Sequence, residues 1–126
     1  MQKGYEVKIN STSKELTARE RVLLKDTRNA IKLDEAVSDT PLVITPDYYG
    51  VLDIHNEKSK EDKDFQNYIV VDKGGNKYVT GSTSFFEAFT EIVEEMDGTG
   101  EEYQIEIYKL DSKNYKGKQF ITCSIV

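Results

Sequence analysis

One cysteine, one histidine, two prolines and no tryptophan stand among the 126 residues of this chain. A lone Cys123 excludes an internal disulfide and any zinc site built from several thiolates. It falls on the inward side of an alternating stretch, which points to a structural thiol. With His55 as the sole histidine, imidazole-based acid–base chemistry has one candidate and no evident partner. No run approaches the ~20 apolar residues of a membrane-spanning helix. The opening MQKGYEVKIN has no apolar leader segment, so a reducing, cytoplasmic setting is expected. Positive charge is scarce as well: 17 Lys and Arg face 23 Asp and Glu, a net charge of -6. That argues against a protein coating nucleic acid with its whole surface. A local basic groove remains compatible, because the charge is segregated. Glu91, Glu94, Glu95, Asp97, Glu101, Glu102 and Glu106 form a run without Lys or Arg. Lys109, Lys113, Lys116 and Lys118 follow, with Asp111 the one acid among them.

The length suits a single domain with its own core. Residues 1–14 read as a flexible arm, with a short strand at most over Tyr5–Ile9, and residues 15–126 as the domain. The clearest pattern is C-terminal, in YQIEIYKLDSKNYKGKQFITCSIV. Each half alternates apolar and polar residues, the signature of a strand with one buried face. Folding about Asn114 sets Tyr103 opposite Ile125, Ile105 opposite Cys123 and Ile107 opposite Ile121. The other face then pairs Gln104 with Ser124, Glu106 with Thr122 and Tyr108 with Phe120. Two rings are left facing away from the core beside a lysine-bearing loop. A one-residue slip would turn Ile107 and Ile121 outward, so this register is favoured.

Upstream, Thr17 and Glu20 have capping-box spacing, and Leu16, Val22 and Leu23 form an apolar side, predicting a helix over Thr17–Lys25. A strand through Arg21–Leu24 is the alternative. The surrounding segment is locally basic, with Lys14, Arg19, Arg21, Lys25, Arg28 and Lys32. Pro41 and Pro46 bracket a short strand, LVIT. From Asp47 a longer strand, YYGVLDIHN, sets Gly50, Leu52 and Ile54 against Tyr49, Val51, Asp53 and His55, with Gly50 marking a bulge or bend. EKSKEDKDFQ is a charged surface loop. NYIVVDKGGNKYVTG is a hairpin whose glycines supply positive φ in the turn. It lacks the strand-to-helix setting and GK[ST] ending of a phosphate loop. Ser82–Met96 is the most secure helix, with Ser84 and Glu87 as capping box and Phe85, Phe89, Ile92 and Met96 as its stripe. Asp97–Gly98 ends it.

These elements predict a mainly β domain with one helix. Three strands, a helix and two more strands fit a five-stranded Greek-key barrel of the OB type, with the helix between strands 3 and 4. Such barrels bind oligonucleotides on the face of strands 2 and 3 and through flanking loops, including the one between strands 4 and 5. Here that loop is DSKNYKGK, the most basic in the chain. The stretch NYIVVDKGGNKYVTGSTSFFEAFTEIVEEM, followed by YQIEIYKLDSKNYKGKQFITCSIV, resembles small single-stranded DNA-binding proteins of bacteriophages that infect Gram-positive bacteria. The likeness lies in layout and loop chemistry over about half the chain. It implies an OB-fold protein that coats unwound DNA in phage replication or recombination, within the host cytoplasm. It also implies that Tyr115, Lys116, Gly117 and Lys118 lie in the nucleic-acid-facing loop.

The expected activity is therefore sequence-independent binding of single-stranded DNA, without catalysis, metal or cofactor. Tyr49, Tyr68, Tyr78, Tyr108, Tyr115 and Phe120 are the candidate stacking rings. Lys73, Lys77, Lys109, Lys113, Lys116 and Lys118 are the candidate phosphate contacts, so affinity should fall with salt. Tyrosine in place of tryptophan implies moderate affinity per domain and a role for self-association. A second reading is an adaptor or inhibitor that meets a host protein through the same sheet face. A third is a metal-dependent nuclease using Asp53, His55 and Glu57, which alternate along one strand face. Three polar residues on a strand are more often a wet surface, so the chain is taken as non-enzymatic.

Overall fold

Two β-sheets pack on one helix, α3 (Thr83–Met96). The computed structural model describes residues 4–37, 40–58, 63–111 and 117–126. Helical spacing gathers Phe85, Phe89, Ile92 and Val93 of α3 on the side that meets the main core,. Phe85 and Phe89 are fully buried, each contributing on the order of 1.5–3 kcal/mol through burial. The cap is Ser82, whose hydroxyl accepts from the Phe85 amide at 3.2 Å. The expected capping residue, Ser84, instead donates its hydroxyl to the Ile121 carbonyl at 3.1 Å. At the other end the Asp97 amide bonds to the Val93 carbonyl, and Gly98 takes φ +82° beyond it,.

The first sheet has five strands: β1 (Tyr5–Thr12), β4 (Pro46–Asn56), β5 (Asp64–Asp72), β6 (Lys77–Thr80) and β2 (Ile31–Lys32), in that spatial order. Its pairings are antiparallel except for β2, which runs parallel to β6. The second sheet has three strands, β3 (Leu42–Ile44), β7 (Ile105–Asp111) and β8 (Gln119–Ile125), all antiparallel. Thr45 alone separates β3 from β4, so one bent stretch of chain belongs to both sheets. In the β5–β6 turn, Asp72 accepts from the Asn76 amide at 2.8 Å, and Gly75 takes the positive φ.

The first sheet is covered on both sides over Tyr68–Asp72 of β5. Gly50, Leu52 and Ile54 lie in register with Ile69 and its neighbours on the face met by helix α1 (Ala18–Lys25). Leu24 of α1 is buried there, with Val7, Ile9, Leu16 and Tyr48 around it. Tyr49, Val70 and Tyr78 occupy the opposite face, toward α3, in a core shared with Ile105, Ile107, Ile121 and Cys123 of the second sheet. Short helix α2 (Leu33–Ala36) adds Leu33 to the same core. Gly50 marks a close approach: a Cβ there would stand 2.8 Å from Leu24 Cδ2. The bulges fall elsewhere, between Ile9 and Ser11 and between Pro46 and Tyr48.

The five-stranded barrel with one helix is thus corrected to eight strands in two sheets and three helices among the described residues. The predicted succession of strands and helix is present as β4, β5, β6, α3, β7, β8, but it does not close. Closure would require β6 to pair with β8. The outer edge of β6 instead takes β2, and α3 packs against the second sheet with Ser84 bonded to β8. The N-terminal segment adds β1, as an edge strand on β4, and α1, whose Thr17–Glu20 capping box forms as the spacing predicts. The expected apolar side of α1 does not: Leu24 is the buried residue, and Val22 and Leu23 face solvent.

Candidate nucleic-acid interface

The β7–β8 ribbon turns Ile105, Ile107, Ile121 and Cys123 into the core. Burial pushes the Cys123 thiol up to about 12, leaving it an unreactive packing group,. The register differs from a fold about Asn114 by two residues: Ile107 meets Cys123, Tyr108 meets Thr122 and Leu110 meets Phe120. A shift of two preserves which side each residue faces, so the inward set is unchanged. The outward set is Glu106, Tyr108, Leu110, Phe120, Thr122 and Ser124, joined by Val43, which pairs with Glu106 on β3.

On this face Phe120 is 38% exposed, Leu110 44% and Val43 46%. Tyr108 is half-buried, and its hydroxyl shares a 2.6 Å hydrogen bond with Ser124. That bond lays the ring along the ribbon. Lys118, exposed, stands two residues before Phe120. Lys109 has inward parity, opposite core residue Ile121, but stays half-buried, and its ammonium donates to the Asp34 carbonyl at 3.0 Å. Lys109, Gln119 and Phe120 line one shallow groove of ≈ 300 Å³ with Asp34 and Ser82. Lys113, Tyr115 and Lys116 lie outside the described residues.

The other candidate rings have different surroundings. Tyr68 is 8% exposed and stacks on Phe86 with centroids 4.1 Å apart. Tyr49 is half-buried, edge-on to Phe86 and Phe89 at 5.4 and 5.7 Å. Tyr78 is buried in the main core. Burial raises the phenol pKa of both Tyr49 and Tyr78. These three rings pack toward α3, separate from Tyr108 and Phe120 on the outer side of the second sheet. Lys73 is exposed in the β5–β6 turn. The Lys77 ammonium donates to the Leu23 and Asp26 carbonyls at the end of α1, the latter at 2.6 Å. Its partial burial lowers its pKa against the opposing pull of Asp26. Among the described candidates, the structure therefore gathers Tyr108, Lys109, Lys118 and Phe120 on one ribbon and places Tyr49, Tyr68, Lys77 and Tyr78 on the first sheet, with Lys73 in its β5–β6 turn.

A wider groove, ≈ 650 Å³, lies on the first sheet beyond the reach of α3, lined by Glu6, Lys8, Asp53, His55, Asp64 and Gln66 among others. His55 shares 2.6 Å and 2.5 Å contacts with Asp64 and Glu57, one at each ring nitrogen. The Asp64 bond foremost, then Glu57, raises its pKa. Asp53 accepts from Asn10 at 3.0 Å and Gln66 at 2.8 Å, in that order the causes of its lowered pKa. The carboxylates thus bond to neighbouring side chains, and among the described residues the lining brings no hydroxyl or thiol. Among the described residues no three His, Cys, Asp or Glu side chains are grouped to hold a metal.

Sequence reasoning missed a third concavity, between β1 and α1, whose lining includes Val22. The signal was the place of Val22 and Leu23 beside Leu24: one helix turn cannot bury all three. No helix among the described residues is long and apolar enough to cross a membrane. No family model, curated protein or solved structure matches the chain.

Proposed function

We propose that this chain is a non-catalytic binding module for single-stranded DNA, and that the strand lies across the outer face of β7–β8. The observation that carries this reading is the open ring of Phe120 beside Tyr108 and Lys118, on the side of the ribbon turned away from the core. A base stacked on an aromatic ring gains about 1–3 kcal/mol whatever its identity, and lysines add a salt-dependent term. One open ring and one half-buried ring make a short platform, so the affinity per chain is modest. The resemblance to phage proteins that coat unwound DNA supports DNA as ligand, and a role in replication or recombination in a bacterial cytoplasm. Fluorescence anisotropy with oligo-dT and with duplex DNA, at low and moderate salt, tests it. Preferential, salt-sensitive binding of oligo-dT that Phe120→Ala weakens is expected. Equal binding to both, or none, overturns it.

A second reading has its own observation. Val43 and Leu110 extend the exposed surface in an apolar direction, toward half-buried Glu106. That composition suits a protein partner on the same face. It predicts an association insensitive to salt and indifferent to oligo-dT.

A further inference from the structure

We propose that copies of this chain associate head to tail, the groove between β1 and α1 of one copy receiving the acidic turn between α3 and β7 of the next. The inference is independent of what the β7–β8 face binds.

The groove measures ≈ 510 Å³; Tyr5, Val7 and Val22 give it apolar walls, and Lys25 and Arg28 rim it with Thr27 and with Asp26, whose carboxylate is bonded to Arg28. Val22 is 66% exposed and its neighbour Leu23 53%. An eight-residue helix that buries only Leu24 while showing two aliphatic side chains to water has an unpartnered apolar side,. Basic residues surround it. Arg28 is engaged by Asp26 at 3.0 Å, but Arg19, Arg21 and Lys25 form no ion pair among the described residues.

The complement lies on the same chain. Glu91, Glu94, Glu95, Asp97, Glu101 and Glu102 are exposed, and none forms an ion pair among the described residues. The turn that carries the last of them is held in shape. The Thr99 hydroxyl donates to the Met96 carbonyl at 2.8 Å and accepts from the Glu101 amide at 3.2 Å. Gly98 and Gly100 take φ of +82° and +74°, a left-handed backbone that lets the chain double back,. A pre-ordered acidic turn loses little conformational freedom on docking. Half-buried Met96 at its base is the apolar group to set against Val22.

The fold prevents these surfaces from meeting within one molecule. α1 covers one face of the first sheet and α3 the other. The opposite charges therefore stand on opposite sides of a β-layer. A contact of this kind uses two different patches, so it leaves a free groove at one end of the assembly and a free turn at the other. Copies can then add without limit unless the rotation closes a ring. A phosphate backbone fits the groove less well, since its oxygens offer nothing to Val7 and Val22.

Sedimentation velocity over a wide concentration range tests the proposal. The average mass of the wild type should rise with concentration at low ionic strength. It should return to that of one chain near 1 M salt, where the screening length is ~3 Å. Arg21→Glu with Lys25→Glu should abolish association, and so should Glu95→Lys with Glu101→Lys. Mixing the two variants should restore it, because each then supplies what the other lacks, and circular dichroism reports that each is folded. A wild type that stays monomeric throughout overturns the proposal. So does association untouched by the reversals, or a mixture that remains monomeric. If the α1 variant loses oligo-dT affinity while its mass behaviour matches the wild type, the groove is a phosphate contact and the proposal fails.

Discussion

Strands β5 and β8 carry comparable residues and meet different surroundings. Over Tyr68–Asp72 every residue of β5 is buried, whichever side it faces, because α1 covers one face and α3 the other. Along β8, Ile121 and Cys123 are buried while Phe120 is exposed and Thr122 and Ser124 are half-buried. Alternation determines which residues share a side, and the covering layer determines whether that side is dry. An aromatic ring on β5 is thus a packing group, whereas one on the outer side of β8 remains open to a ligand. The same contrast separates Lys77, drawn under the end of α1, from Lys118, which stands exposed.

The sharpest way to break this contrast is to truncate one phenylalanine from each region. Phe89→Ala, in the buried stripe of α3, should destabilise the protein by about 3–5 kcal/mol in urea or thermal unfolding,. A loss below about 1 kcal/mol would mean that α3 does not hold the two sheets together. Phe120→Ala should leave the unfolding midpoint nearly unchanged while weakening oligo-dT binding by about 1–3 kcal/mol in anisotropy titrations. Equal damage to stability would place the ring in the core after all. Lys77→Met removes the ammonium from the end of α1 and should cost about 1 kcal/mol of stability, with no effect on oligo-dT affinity. A fall in affinity without a fall in stability would return Lys77 to the binding surface.

The smallest effect concerns His55. Asp64 and Glu57 raise its pKa, so folding favours the charged imidazole. That contribution is full below the ordinary histidine value of about 6.5 and is lost as pH rises through the folded value. NMR titration of the imidazole should give a midpoint above the ordinary value. His55→Gln should flatten the pH dependence of stability in that window. A midpoint at or below the ordinary value would show that the two carboxylates do not hold the ring.

Much of the ribbon was legible because one covered face writes its pattern directly into alternate residues, and parity survived the two-residue error in register. The limits of α3 were legible from its phenylalanine spacing and from Gly98. The tyrosines of β4–β6 were misplaced for a specific reason. A strand covered on both faces reads as a continuous apolar run, and YIVV is such a run, so its one ring, Tyr68, belongs to a covered face,. The barrel was expected because β1 and β2 leave weak traces. β2 has two residues, and β1 alternates polar and apolar residues without a turn to tie it to β4. Pairings so distant in sequence are set by the finished packing rather than by local preference. The exposed side of α1 was misread because its apolar residues are consecutive, which leaves the helix phase undetermined.

The single-residue junction at Thr45 has a consequence for how the chain is assembled. Its carbonyl accepts from the Lys73 amide at 2.9 Å, which ties the bend to the β5–β6 turn. On its N-terminal side, Leu42–Ile44 pairs, among the described residues, with Ile105–Ile107 alone, which emerges from the ribosome long afterwards. The first hairpins can form early, during synthesis, while this short aliphatic segment waits at their margin. Completion of the second sheet is then a late, slow event governed by closure of a long loop. Until that moment a nascent chain displays Leu42–Ile44 as an unpaired edge, and this brief exposure is the stage at which misassembly is most readily seeded.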